Sequence, residues 1–196
     1  MAGTGVPVQI TSVDQDNNLF AITNLIPQPL VDKIIKTPWM SLQYKPEQGN
    51  NGLRRRVVNN QLIWINEWHE CIDQAWETIV KHTGCDHLAY FNLDGSATGF
   101  WIDEADYTCP IHTDGELPGA IQMYWTGVNE DFGTTWYHHK NQDTIRHCFK
   151  FITNTGYIMI NKPDPSDYRK LQWHGMLNPV PDNSFRVSSY TWLNIK

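Results

Sequence analysis

From residue 88 onward the chain is a succession of short runs rich in aromatic and β-branched residues, separated by clusters of Gly, Pro, Asn and Asp. The runs fall at 88–93, 98–103, 119–126, 148–153, 157–161 and 185–193. Short strands at this spacing predict an antiparallel sandwich or barrel. The region before them reads differently. Leu19–Thr23 reads as a strand, and after Pro27 and Pro29 the residues Leu30, Val31, Ile34 and Ile35 form an apolar stripe at helical spacing, stopped before Pro38. A longer helix comes next, with Asn66 as its expected cap and Glu67 and Glu70 near its positive end. Trp68, Ile72, Ala75, Trp76 and Ile79 make its buried face, and Gly84 its stop. The expected architecture is α+β, mainly β: a jelly-roll-like barrel with N-terminal supporting helices.

At 196 residues the chain fits a single domain, 1–196, with helical support over roughly 1–84 and the β core over roughly 85–196. A 40% hydrophobic content suffices for a core. A net charge of −6 argues against a nucleic-acid partner, which normally needs a basic face. The one basic run, Arg54–Arg56, is expected to be a solvated loop or strand end, with contact to an acidic substrate as the alternative. The four cysteines form no Cys-x-x-Cys pair, so a zinc knuckle or dithiol redox site has no support. No signal peptide and no membrane span of about 18 apolar residues is visible, so a cytoplasmic protein with reduced thiols is expected.

Ile111–Gly115 contains a His-x-Asp pair. On an extended segment His112 and Asp114 project to one face and can address one ion, with Gly115 permitting a turn after them. In a chain with eight histidines one such pair is weak evidence, and a surface hydrogen-bonded pair is the bland alternative. Its weight comes from two residues farther along the chain. His174 stands 60 residues after Asp114, and Arg186 lies 12 residues beyond that, in Phe185–Ser188. Arg186 and Ser188 share a strand face. Two imidazoles and a carboxylate on one face of octahedral Fe(II) leave three positions open, enough for a chelating 2-oxo acid and O₂. The acid's remote carboxylate needs a fixed cation, and a guanidinium grips it with two parallel hydrogen bonds, to which Ser188 can add a third.

This ordered set resembles the Fe(II)/2-oxoglutarate-dependent dioxygenases, in particular their prolyl-4-hydroxylase-like branch. Ala120–Thr135, Trp173–Gly175 and Phe185–Leu193 resemble other parts of that family's core, and the resemblance spans roughly residues 85–195. It implies a double-stranded β-helix, with His112, Asp114 and His174 holding iron and Arg186 and Ser188 binding 2-oxoglutarate. It also implies O₂ as co-reactant, ascorbate as a candidate addition, and hydroxylation of a C–H bond in a peptide or protein side chain or in a small molecule. Family members often use a tyrosine on the strand after the metal pair, a place filled here by Tyr124; an outward-facing tyrosine on an edge strand is the competing reading.

The sequence departs from the family pattern at Cys109, where a tyrosine is common, and at Phe132–Thr135, which lacks a second glycine and an acidic residue. His138, His139 and His147 are expected to be loop or rim histidines, since neighbours on a strand face opposite ways. Cys109 reads as a small packing residue, and Lys45–Leu53 as a lid. Two rivals stay open: a cupin-type metal enzyme that does not use 2-oxoglutarate, and a non-catalytic jelly-roll binding module.

Overall fold

The alternation along residues 119–126 produces a strand with two different faces. In this computed structural model Ile121, Met123 and Trp125 enter a core shared with the helices, while Ala120 and Tyr124 enter a second core on the opposite side. The structure describes residues 6–14, 18–42, 45–46, 54–58, 62–90, 98–114, 117–138, 144–161 and 172–196. Its strands are β1 (Gln9–Asp14), β2 (Leu19–Thr23), β3 (Lys45–Pro46), β4 (Arg55–Val58), β5 (Leu88–Tyr90), β6 (Thr98–Glu104), β7 (Gly119–Thr126), β8 (Thr135–Tyr137), β9 (Ile145–Cys148), β10 (Thr155–Ile160), β11 (His174–Gly175) and β12 (Phe185–Ile195). The helices are α1 (Gln28–Lys36) and α2 (Ile65–Thr83).

The fold is mainly β and antiparallel. Among the described residues the larger sheet runs β1-β2-β10-β7-β12-β6-β4-β3, with β5 also paired to β12, and the smaller runs β11-β8-β9. The chain up to Thr83 therefore supplies four strands to the larger sheet, besides the two helices.

Both helices cover one face of that sheet. Leu30, Val31 and Ile34 of α1, and Trp68, Ile72, Ala75 and Ile79 of α2, are buried as their spacing predicts, whereas Ile35, placed in the same α1 stripe, is exposed. Trp68 packs edge-on against Phe100 and Trp125, with centroids at 5.2 and 5.3 Å, and its indole N–H donates to Thr98 Oγ1 at 3.1 Å. Trp76 is only half-buried, lying at 5.5 Å from Tyr90. Gly84 ends α2 in the left-handed conformation at φ 68°, its N–H donating to Val80 O at 2.8 Å. Asn66 does not cap the helix. The turn at Leu62–Ile65 already starts the helical bonding, and buried Trp64 fixes that start by packing on Trp39 and Phe100.

The run at 148–153 is not a strand. β9 ends at Cys148, and beyond it the Phe149 and Phe151 amides donate to Thr134 O and Glu130 O while their rings fill the second core. Among the described residues no helix is long and apolar enough to cross a membrane.

Candidate active site

The second core separates the two sheets and opens into a cavity of about 310 Å³, near the lower end of the roughly 300–1,000 Å³ common for small-molecule sites. His112, Asp114, His174 and Arg186 all line it. The donor atoms of the first three lie within 4.8 Å of one another. His112 Nε2 is 3.4 Å from Asp114 Oδ1, and His174 Nε2 is 3.6 Å from Asp114 Oδ2.

Backbone pairing creates this convergence. His112 and His174 form an isolated antiparallel bridge, each amide donating to the other's carbonyl at 2.9 Å. β11 in turn pairs with β8, which stacks the His174 ring on Trp136 at 4.7 Å. Each imidazole is also fixed on its far side: His112 Nδ1 lies 2.8 Å from Pro110 O, and His174 Nδ1 lies 2.8 Å from Gln172 O. A carbonyl can only accept, so each Nδ1 carries the proton. When the rings are neutral, both Nε2 lone pairs are then left as ligands, the tautomer that metal-binding histidines need. Tyr190 donates its hydroxyl to Asp114 Oδ2 at 2.5 Å and fixes the carboxylate.

The electrostatics of the three groups are coupled. Hydrogen bonding to Asp114, then to Cys109, raises the His112 imidazole to about 10. Burial alone would push the Asp114 carboxyl up, but His112, His174 and Tyr190 hold it at about 2. Burial lowers His174. Two imidazoles and one carboxylate, with both Nε2 atoms turned to the carboxylate, suit a first-row divalent metal with open positions.

Arg186 is 2% exposed at the cavity wall. Its Nε donates to Asp103 Oδ2 at 2.6 Å and its Nη1 to Phe132 O at 2.7 Å. That carbonyl is presented by the 3-10 turn Glu130–Phe132, which the Asn129 side chain caps by accepting from Asp131 N at 3.0 Å. Ser188 shares the Arg186 face but is covered, accepting from Gln122 Nε2 at 3.3 Å. Tyr124 also faces this side, yet it is fully buried, its hydroxyl accepts from the Thr134 amide at 3.1 Å, and it does not line the cavity. Tyr157 of β10 lines it instead, hydrogen-bonded to Gln122, with Thr134 beside them.

Sequence reading missed Tyr157, Thr134 and Tyr190, and misjudged Arg55. Arg54 is exposed, as expected, but Arg55 is 7% exposed and lines the cavity. Alternation explains this: Arg55 stands in register with Asp103 on β6, a buried carboxylate that demands a cation. Cys109 is a buried wall residue whose Sγ lies 3.6 Å from His112 Nδ1. His138 is exposed, and half-buried His147 packs on Phe149 at 4.4 Å. His139, Gly115 and most of Lys45–Leu53 lie outside the described residues.

No family model matches the sequence, and no curated protein matches it. Solved structures do. A prolyl-4-hydroxylase from Pseudomonas putida superposes with a TM-score of 0.64 at 11% identity, over 91% of this chain and 93% of that one. The viral collagen prolyl hydroxylase of Paramecium Bursaria Chlorella virus-1, in its 2-oxoglutarate complex, gives 0.60 at 12% identity, over 91% and 96%. The fold is that of the prolyl hydroxylases. HygX from Streptomyces hygroscopicus, with nickel and 2-oxoglutarate bound, gives 0.62 at 9% identity, over 91% and 83%. At the level of fold, this prolyl-hydroxylase likeness bears out the resemblance read from the sequence.

Proposed function

We propose that the chain is an Fe(II)/2-oxoglutarate-dependent dioxygenase that hydroxylates a C–H bond. The observation that carries this reading is the placement of His112, Asp114 and His174 in the same cavity as a buried arginine. The two facing antiparallel sheets are read as the halves of a double-stranded β-helix.

In this reading His112 Nε2, Asp114 and His174 Nε2 hold the iron. Arg186 receives the distal carboxylate of 2-oxoglutarate through Nη2, the guanidinium nitrogen that has no protein partner among the described residues. Iron, 2-oxoglutarate and O₂ supply the chemistry, one oxygen atom entering succinate as CO₂ leaves and the other entering the substrate. The protein's own residues bind, orient and exclude water. Tyr190 and the two backbone carbonyls fix the ligands, while Gln122, Thr134 and Tyr157 offer polar groups along the wall. Ser188 supports Gln122. Tyr124 supports Thr134.

The cavity wall also carries Trp101, Trp192, Leu117 and Met176, an apolar and aromatic lining. It suits an uncharged hydrocarbon group such as a prolyl ring or another amino-acid side chain. The named activity of the two prolyl hydroxylase neighbours points the same way. The cupin-type rival has no use for a buried, cavity-facing arginine, which is why it ranks second. The test is succinate release from 2-oxoglutarate by iron-loaded protein, with prolyl peptides and free amino acids compared as stimulants. Iron- and O₂-dependent succinate formation, raised by one of these, is expected. An iron-loaded protein that releases none would reject the reading.

A further inference from the structure

Arg55 of β4, Asp103 of β6 and Arg186 of β12 stand directly opposite one another across three neighbouring strands. Their exposures are 7%, 0% and 2%. The Asp103 carboxylate accepts from Arg55 Nε and Nη2 at 2.5 and 3.0 Å, and from Arg186 Nε at 2.6 Å. One oxygen, Oδ2, serves both arginines, so their guanidiniums are no further apart than those two bonds laid end to end. The Arg55 guanidinium also lies against Trp101 and Tyr107, with centroids at 4.1 and 4.2 Å. That packing holds it in place.

Two buried guanidiniums against one carboxylate leave an excess positive charge. A buried charge without a counter-charge is costly, so a site constructed this way is built to receive an anion. Both arginines line the cavity, and the Asp103 side chain does not. Among the described residues Arg55 Nη1 and Arg186 Nη2 are left without a protein partner. We infer that Arg55 is a second anchor for the distal carboxylate of the diacid, with Asp103 holding both guanidiniums toward it. This rests on reading the cavity as a 2-oxoglutarate site.

The experiment is calorimetric titration of Mn(II)-loaded protein, without O₂, with 2-oxoglutarate and with 2-oxopentanoate, which has a methyl group in place of the distal carboxylate. Arg55→Gln is expected to weaken 2-oxoglutarate at least tenfold and to leave 2-oxopentanoate unchanged. A structural role would give a different pattern in Arg55→Gln/Asp103→Asn, where the excess positive charge is restored but the second anchor is missing. The double variant is expected to stay at least tenfold weak. Recovery of wild-type affinity in it, or unchanged affinity in Arg55→Gln, overturns the inference. Arg55→Lys covers a failure of the neutral variants to fold. An ammonium group cannot serve Asp103 and the ligand together as the guanidinium fork does, so a several-fold loss is expected and wild-type affinity overturns the role. If Arg186→Gln also leaves the preference for the diacid intact, the 2-oxoglutarate reading itself fails, not only the role of Arg55.

Discussion

His112 and His174 are joined to each other by two main-chain hydrogen bonds, one in each direction and both 2.9 Å long. Two candidate ligands remote in sequence are thus set in register by the backbone and do not rely on an ion to bring them together. His112→Ala and His174→Ala leave that bridge intact. Each is expected to lose at least nine-tenths of Fe(II) binding, because a three-ligand site has none to spare, with unfolding midpoints within roughly 5 °C of the metal-free wild type. Metal analysis and thermal unfolding check both halves.

Tyr190→Phe removes the hydroxyl that donates to Asp114 Oδ2 and little else. Partners of this kind, acting through a ligand, typically contribute about 10–100-fold in metal affinity. A loss in that range is expected by competition with a chelator. Unchanged affinity would mean that the Asp114 carboxylate is held without Tyr190.

Metal uptake should release a proton. The metal needs neutral imidazole, whereas the contacts with Asp114 and Cys109 raise His112 to about 10, so its proton is held throughout the neutral range. His174 is lowered by burial and is already neutral there. Affinity should therefore rise with pH up to about 10, and calorimetry at pH 7.5 in buffers of different ionisation enthalpy should count about one proton released per metal. A count of zero would contradict the assigned state of His112.

Arg186→Ala should weaken 2-oxoglutarate binding by roughly 2–5 kcal/mol while sparing metal binding, the usual cost of cutting one partner from a desolvated charge pair. Arg186→Lys keeps the charge but cannot serve Asp103 and Phe132 O with one fork, as Nε and Nη1 do. It should fall between the two. Calorimetry on the manganese-loaded variants gives the order.

Stability should depend on the helix-covered core far more than on surface charge. Trp68 is fully buried between Phe100 and Trp125, so Trp68→Ala should cost about 3–5 kcal/mol in denaturant unfolding. The Lys33–Glu67 pair has both side chains about half exposed, and Glu67→Ala should change stability by less than about 1 kcal/mol.

Much of this molecule could be read in its sequence, for definable reasons. The stripe on α2 and the alternation on β7 are local patterns: the first buries all the residues it names except half-buried Trp76, and the second divides its residues between two cores. His112, Asp114, His174 and Arg186 could be grouped because their order and intervals match a recognisable pattern, and the fold brings them to one cavity. Tyr157 escaped because its place on the wall comes from the pairing of β10 with β7, which sets it opposite Gln122. Arg55 escaped in the same way: its burial depends on β4 meeting β6 so that Arg55 faces Asp103, and nothing within Arg54–Arg56 reveals that register. The run at 148–153 looked like a strand because Phe149 and Phe151 alternate inward, but their amides bond to a loop and a turn.

The most direct test of the central claim is anomalous diffraction from crystals soaked, without O₂, in Mn(II) and 2-oxoglutarate. One metal peak is expected at about 2.0–2.3 Å from His112 Nε2, an Asp114 oxygen and His174 Nε2, with the 2-oxo acid chelated to it and its far carboxylate on Arg186. A metal bound elsewhere, or a 2-oxoglutarate molecule that leaves Arg186 untouched, would contradict it.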